Sequence, residues 1–365
     1  MIYGLSEGID MSSDIAGSAP LGGATIESGT ATATYTRAAV ETPRTLVVHV
    51  GLPKAASSYL HVDVFPQVMG GHYVMPGAAN AKKSAYRFPR NRFGVRRFSD
   101  AFQKDAAFWA AHGQAFLRQY MGLADFETTK PRSLLISDEA VTRVNHYGVR
   151  NMPAAFDPGA LRANLRGLYD SARGLGFDRV RLMLMTRRQD TLLAASYVQQ
   201  SRKIPRASQA DFERRVQTLL SRSNDDLSRQ FFGIDYGRLF DCFADVVGAE
   251  NVSVMPIELI GPEFDVFIDE MRRVLDVDNT HLDLSQAPVN ARSRTANRWG
   301  LRPLLLYKSR HSRVQLTVPT RLSGRASEIE LTEPLAAAIR DHFDSENRRL
   351  AEMTGLDLAA YGYHE

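Results

Sequence analysis

The sequence predicts an α/β fold: a doubly wound, mostly parallel five-stranded sheet flanked by helices, with a helical C-terminal cap. Three observations lead there. Runs such as "TLVVHV" from Thr45 and "RVRLMLMT" from Arg179 are apolar on both faces, as strands covered by helices on either side must be. These runs alternate with segments whose apolar residues recur at helical spacing, the pattern of a parallel sheet. Polar clusters follow several strand ends, where ligands bind in open α/β sheets.

Taken in order, "TLVVHV" is the first strand, and the helix after it, from about Ser57, should stop before Pro66 because the residue preceding proline disfavours helical geometry. "HYVMP" is a short second strand. Residues 77–100 are basic with Gly and Pro and read as loop. "SDAFQKDAAFWAAHGQAFLRQYM" reads as one helix capped by Ser99 or Asp100. "SLLISDEAV" is the third strand, and "DPGALRANLRGLYDSARGLG" an amphipathic helix closed by Gly176. The fourth strand leads into a helix from Thr191, and "FERRVQTLLSR" and "DYGRLFDCFADVVG" are helical. "NVSVMPIEL" is the fifth strand, followed by the helix "PEFDVFIDEMRRVLD". After the polar loop "SQAPVNARSRTANR", two more helices are expected near 296–310 and 332–354.

At 365 residues the chain could hold one large domain or two small ones. No internal repeat and no linker after residue 44 is visible. The expected division is therefore a flexible N-terminal arm, residues 1–43, and a single α/β domain, 44–365, whose helical C-terminal part spans about 285–365. The arm is rich in Gly, Ala, Ser and Thr. It carries Glu7, Asp10 and Asp14 without a continuous apolar core, unlike a secretory signal. No run reaches the ~18 apolar residues a membrane span needs, so a cytoplasmic protein is expected.

The net charge of +4 and a pI near 9.1 favour an anionic ligand without pointing to a polynucleotide. No zinc finger, RNP-like signature or basic heptad region occurs, so no nucleic acid partner is expected. The single cysteine, Cys242, excludes an internal disulfide and sits on a helical pattern with no base beside it, as a buried structural thiol would. No metal-binding spacing occurs, and no metal is expected.

Three strand ends carry chemistry. After the first, Gly51 and Pro53 permit a tight turn, and Ala55, Ala56, Ser57 and Ser58 are small enough for backbone amides to approach an anion in a P-loop-like cradle. A helix N-terminus adds partial positive charge, and Lys54 can neutralise charge on a leaving oxygen. The ordinary alternative is a turn with Ser57 as N-cap. Asp138 and Glu139 follow the third strand, and Arg187 to Asp190 the fourth. Arg187 and Arg188 should point to opposite sides if the strand continues so far.

At these residues the sequence resembles the sulfotransferases that use 3′-phosphoadenosine 5′-phosphosulfate. "GLPKAASSYL" is similar to their Pro-Lys loop for the 5′-phosphosulfate, with Ala56 where the family usually has glycine. "RRQDTLLAASYVQQ" supplies the arginine and the serine eight residues later that grip the 3′-phosphate, as Arg188 and Ser196, with Arg187 the neighbouring alternative. The late strand "NVSVMPIELI" and the C-terminus "FDSENRRLAEMTGLDLAAYGY" look like those of bacterial carbohydrate-type members.

The resemblance implies metal-independent transfer of a sulfuryl group to a hydroxyl or amine of a carbohydrate or glycoconjugate. Pro53, Lys54, Ala55, Ala56, Ser57, Ser58 and Tyr59 would hold the phosphosulfate, with Asn290, Arg292 and Ser293 as further nucleotide contacts. Lys54 would be catalytic. Glu139 is the first choice for general base, Asp138 the second, and His72 and His112 are further candidates. Capping of a helix near Val141 is the structural alternative for either carboxylate. Two other classes remain: a P-loop-like kinase, for which the Gly-Lys-Ser/Thr element is missing, and a noncatalytic nucleotide-binding scaffold of the same fold.

Overall fold

Strands that are apolar on both faces satisfy their backbone by pairing and hide their side chains under helices. In the computed structural model, β1 (Thr45–His49), β2 (Tyr73–Val74), β3 (Ser133–Ser137), β4 (Arg179–Thr186) and β5 (Val252–Pro256) join in the order β2-β3-β1-β4-β5, every neighbouring pair parallel. Since β2 contributes only two residues, the other four strands make most of the sheet. β1, β3 and β5 are buried along their whole length. The residues described are 43–69, 72–74, 97–127, 132–142, 147, 157–221, 233–261, 263–277, 297–308, 315–319 and 322–365. The expected arm lies outside them except for Pro43, and residues 41–365 cluster as one unit.

β1 lies between β3 and β4, so the chain leaves β1 toward one edge and later extends the sheet on the other side. The loop after β1 therefore emerges at the switch point, where neighbouring crossovers diverge and open a crevice.

The helices show which sequence signals held. α1 is one continuous helix made of Ser57–Tyr59, π-helical Leu60–Val64 and Phe65–Met69, so it runs through Pro66 rather than stopping before it. The widened turn, in which the Phe65 amide reaches the Leu60 carbonyl, gives the proline ring room and needs no N–H from it. The expected single helix at 99–121 is two, α2 (Phe98–Ala101) and α3 (Ala106–Leu123). Asp105 restarts the second by accepting from the Phe108 amide at 3.1 Å. α4 (Pro158–Gly174) begins with Asp157 accepting from Ala160 and Pro at its start. α5 (Gln189–Ser201), α6 (Gln209–Leu220), α7 (Tyr236–Val247) and α8 (Phe264–Leu275) follow at the expected places.

Aromatic side chains seal the contact between α2, α3 and α4. Phe98, Phe102, Trp109, Phe116 and Tyr120 pack edge to face or stacked, and the Trp109 indole donates to Asn164 Oδ1 at 2.8 Å. Truncating one such buried ring typically costs about 3–5 kcal/mol. Cys242 is buried on α7, and burial pushes its thiol up to about 12, so it is inert at neutral pH.

The helix expected near 296–310 is absent. That stretch holds β6 (Arg298–Gly300) and β7 (Leu304–Lys308), paired antiparallel with β9 (Glu328–Glu330) and β8 (Gln315–Val318) respectively. The C-terminal part is thus strand and helix, not a helical cap throughout. Tertiary partners take the backbone there: Leu305 N–H donates to the Arg202 carbonyl at 2.7 Å, and Arg302 N–H to Ser201 Oγ at 3.0 Å. α9 (Glu333–Thr354) closes the fold, ended by Gly355 at φ 71°.

Among the described residues, no helix is long and apolar enough to cross a membrane, and no three His, Cys, Asp or Glu side chains are grouped to hold a metal ion.

Candidate functional site

The turn leaving β1 is held on both sides. Val50 N–H donates to the Met183 carbonyl at 2.9 Å, and the Thr142 hydroxyl donates to the Val50 carbonyl. Gly51 follows because a Cβ there would stand 2.5 Å from His49 Nε2 and 3.0 Å from Met185 Cβ. Lys54 and Ala56 both take positive φ, 82° and 58°. Left-handed geometry costs a non-glycine residue about 1–2 kcal/mol, and alternating handedness is what turns successive amides inward to form an anion-binding concavity. The glycine usual at position 56 in the resembling family has a physical reason here.

The amides do not all remain at the mouth of the turn. Ala55 N–H donates to the Leu52 carbonyl at 3.1 Å and Tyr59 N–H to Ala56 at 2.8 Å, so both are spent within the turn. Those of Ala56, Ser57 and Ser58 lie at the helix start, where no preceding turn supplies acceptors. Ser57 is buried and its hydroxyl has no hydrogen-bond partner, while Ser58 is exposed. Nor does Ser57 cap the helix; the N-cap position is Ala56. Tyr59 is buried, and burial together with Asp63 pushes its hydroxyl up to about 12.

Beneath the turn sits a cluster that sequence reasoning missed. His49 Nδ1 and His61 Nε2 both hydrogen-bond Ser137 Oγ, at 2.8 and 2.7 Å. Burial, and then His61, pull His49 down to about 3, and burial pulls His61 down to about 4, so both rings are neutral at pH 7. One ring accepts the serine proton and the other donates to its oxygen. Two polar residues ending apolar strands were the available signal.

The carboxylates after β3 divide in role. Asp138 is fully enclosed: one oxygen accepts Ser99 N–H at 2.9 Å and the other Ala140 N–H at 3.0 Å, which makes it a structural cap for α2 and for the 3₁₀ turn Glu139–Thr142. Glu139 begins that turn and is half-buried at the carboxyl end of the sheet. His72 lies at the opposite end. It precedes β2, whose Tyr73 pairs with Leu135, and its ring meets Arg132, just ahead of β3, at 2.8 Å. The length of β3, about 16 Å at ~3.3 Å per residue, separates it from Glu139. His112 packs edge to face against Phe108 on α3.

After β4, the two arginines do point apart. Arg187 is 8% exposed; its guanidinium donates to the Lys54 carbonyl at 3.1 Å and to Thr191 Oγ1 at 2.9 Å, and it stacks 5.4 Å from the Trp299 ring. Arg188 turns to Asp190, 2.7 Å away, whose hydrogen bond raises the guanidinium further above its ordinary range. Arg340 reaches the same carboxylate at 3.4 Å. The structure therefore sets Arg187, rather than Arg188, against the Lys54 turn. Ser196 is buried on α5, about 140° around the helix from Thr191 at ~100° per residue, so it does not share the face that meets Arg187. Asn290, Arg292 and Ser293 lie outside the described residues.

No protein-family model matches the chain, and no curated protein matches it by sequence. A solved sulfotransferase from Alicyclobacillus acidocaldarius is similar in fold, with a TM-score of 0.45 and 13% identity over 87% of this chain and 98% of that one.

Sequence reasoning also passed over the role of Glu258. It follows β5 in the 3₁₀ turn Ile257–Leu259 and accepts from Arg188 N–H at 3.2 Å and from the Tyr363 hydroxyl at 2.9 Å. Burial raises its carboxyl above the ordinary range. The rule that drew attention to the other strand ends applied equally to this one; its partner Tyr363, over a hundred residues later, left no local signal.

Proposed function

We propose that this chain is a sulfotransferase, moving a sulfuryl group from 3′-phosphoadenosine 5′-phosphosulfate to a hydroxyl or amine of a carbohydrate or glycoconjugate. The observation that supports it best is the Lys54–Ser58 turn: two left-handed residues, a buried serine hydroxyl with no partner and a lysine, at the start of a helix on the switch point of the sheet. Such a turn suits a phosphosulfate, whose oxygens accept from backbone amides and a hydroxyl at once.

The donor supplies the sulfuryl group and a 5′-phosphate leaving group. An acceptor oxygen or nitrogen forms the new bond to sulfur while the bond from sulfur to the phosphate oxygen breaks, its electron pair going to that oxygen. Lys54 stabilises the charge developing there. Glu139 takes the acceptor proton; it keeps this role because Asp138 is occupied as a cap and His72 stands at the far end of the sheet. Arg187 serves as the arginine of the donor site, Arg188 being engaged by Asp190. The carbohydrate acceptor rests on sequence resemblance.

Calorimetric binding of 3′-phosphoadenosine 5′-phosphate, beside ATP and AMP and without metal, tests this reading. Selective binding is expected, with turnover falling about a hundredfold or more in Lys54→Ala. Equal binding of all three nucleotides would overturn it and favour a kinase or a scaffold.

A further inference from the structure

Three consecutive residues at the end of β4 are each held by a group from a distant part of the chain. At Thr186, the side-chain hydroxyl lies 3.2 Å from the Tyr363 hydroxyl. The Arg187 carbonyl accepts from the Tyr236 hydroxyl. The Arg188 N–H donates to Glu258 Oε1, whose other oxygen accepts from Tyr363. Tyr363 has one proton and gives it to Glu258, so Thr186 must donate to Tyr363. Thr186, Tyr236 and Tyr363 are essentially inaccessible to solvent.

This arrangement dictates where Arg187 goes. Fixing the backbone on either side of a residue fixes its Cα–Cβ direction, and here that direction sends the guanidinium to Lys54, Thr191 and Trp299. Stability alone does not require a carboxylate at position 258. Enclosing an ionisable group carries a desolvation cost that a neutral, well-packed side chain avoids. What the carboxylate supplies is two acceptor oxygens in fixed directions, one for an amide at a helix start and one for a tyrosine.

We propose that Glu258, braced by Tyr363, is a positioning residue that aims Arg187 at the Lys54 turn. Its functional half rests on the reading of that turn as the donor site. Its structural half does not, and Trp299 makes that half measurable. The chain has two tryptophans; Trp109 is buried between α3 and α4, whereas Trp299 carries the Arg187 guanidinium on its face.

Emission from the full-length protein is compared for wild type, Arg187→Ala, Glu258→Ala, Glu258→Gln and Tyr363→Phe, each repeated with Trp299→Phe to assign the signal. Affinity for 3′-phosphoadenosine 5′-phosphate is measured alongside. Tyr363→Phe removes a single oxygen and keeps the test alive if Glu258→Ala fails to fold. The expected result is that Glu258→Ala and Tyr363→Phe shift Trp299 emission in the same direction as Arg187→Ala. They should also weaken binding about tenfold and leave turnover at saturating donor nearly unchanged, whereas Glu258→Gln, which keeps one acceptor oxygen but turns an NH2 donor toward the second partner, should lose less than Glu258→Ala without returning to wild type. Unchanged Trp299 emission in both variants would overturn the proposal, even if affinity fell. Shifted emission in a protein that does not bind the nucleotide would uphold the positioning and reject the donor-site reading.

Discussion

Arg187 donates a hydrogen bond to the carbonyl oxygen of Lys54 at 3.1 Å, joining the turns that leave β1 and β4 across 133 residues of chain. This contact ties the two loops at the switch point together and makes Arg187, with Lys54, the part of the candidate site that substitution should expose most clearly.

Arg187→Ala is expected to weaken binding of 3′-phosphoadenosine 5′-phosphate more than Arg188→Ala. Losing charge-assisted hydrogen bonds worth about 1.5–3 kcal/mol corresponds to roughly tenfold to a hundredfold in affinity. Arg188 is already neutralised by Asp190, so its removal should act chiefly on stability. Calorimetry on both variants decides; a larger loss in Arg188→Ala would return the donor contact to that residue.

Asp138 and Glu139 are adjacent yet should fail differently. Asp138→Ala strands the Ser99 and Ala140 amides and should cost about 0.5–2 kcal/mol for each lost cap, seen as a lower urea midpoint. Glu139→Gln should keep the midpoint and lose turnover. If Glu139→Gln retains full turnover, the base lies elsewhere.

Ala56 stands at φ 58° with ψ 10°. Glycine relieves a left-handed strain of about 1–2 kcal/mol but gains about 0.4–1 kcal/mol of unfolded-state freedom. Ala56→Gly should therefore be neutral to stabilising by about 1 kcal/mol, whereas the β-branched Ala56→Val should destabilise. Denaturant titration of the pair checks the sign, and a destabilised glycine variant would contradict the strain.

The buried histidines make stability depend on pH. With His49 near 3 and His61 near 4 in the folded protein, against an ordinary value of 6.5, the unfolded chain binds more protons between those limits. Their contribution is full above about 6.5 and is lost as pH falls toward 4 and then 3. Asp235, raised by burial to about 6, works in the opposite sense, so the comparison must be between variants. His49→Asn should show a shallower loss of midpoint from pH 7.5 to pH 5 than wild type; equal slopes would mean that His49 is not held neutral by burial.

Much of this protein was legible locally. An apolar run such as Leu46–Val48 reads as a strand covered on both faces, and Pro53-Lys54 with small residues after it reads as a tight turn into a helix. Both are consequences of near-neighbour chemistry. The break at Asp105 was legible as well, since an aspartate three residues before Phe108 is an ordinary cap, but the continuous helical periodicity on either side masked it.

The remainder depended on contacts no local pattern encodes. Pro66 stays within a helix because a π turn precedes it, and residues 304–308 become strand because Arg202 and Gln315 offer partners. Which of two adjacent arginines meets Lys54, which of two adjacent carboxylates is consumed as a cap, and why Glu258 lies beneath the Arg188 turn follow from Tyr236, Tyr363 and Ser99 arriving from elsewhere in the chain. The sequence by itself determined the strand-turn-helix units and the chemistry carried at their ends. Only the tertiary structure decided which way each polar group faces, because a buried donor or acceptor must pair with whatever the rest of the fold brings within about 3 Å of it.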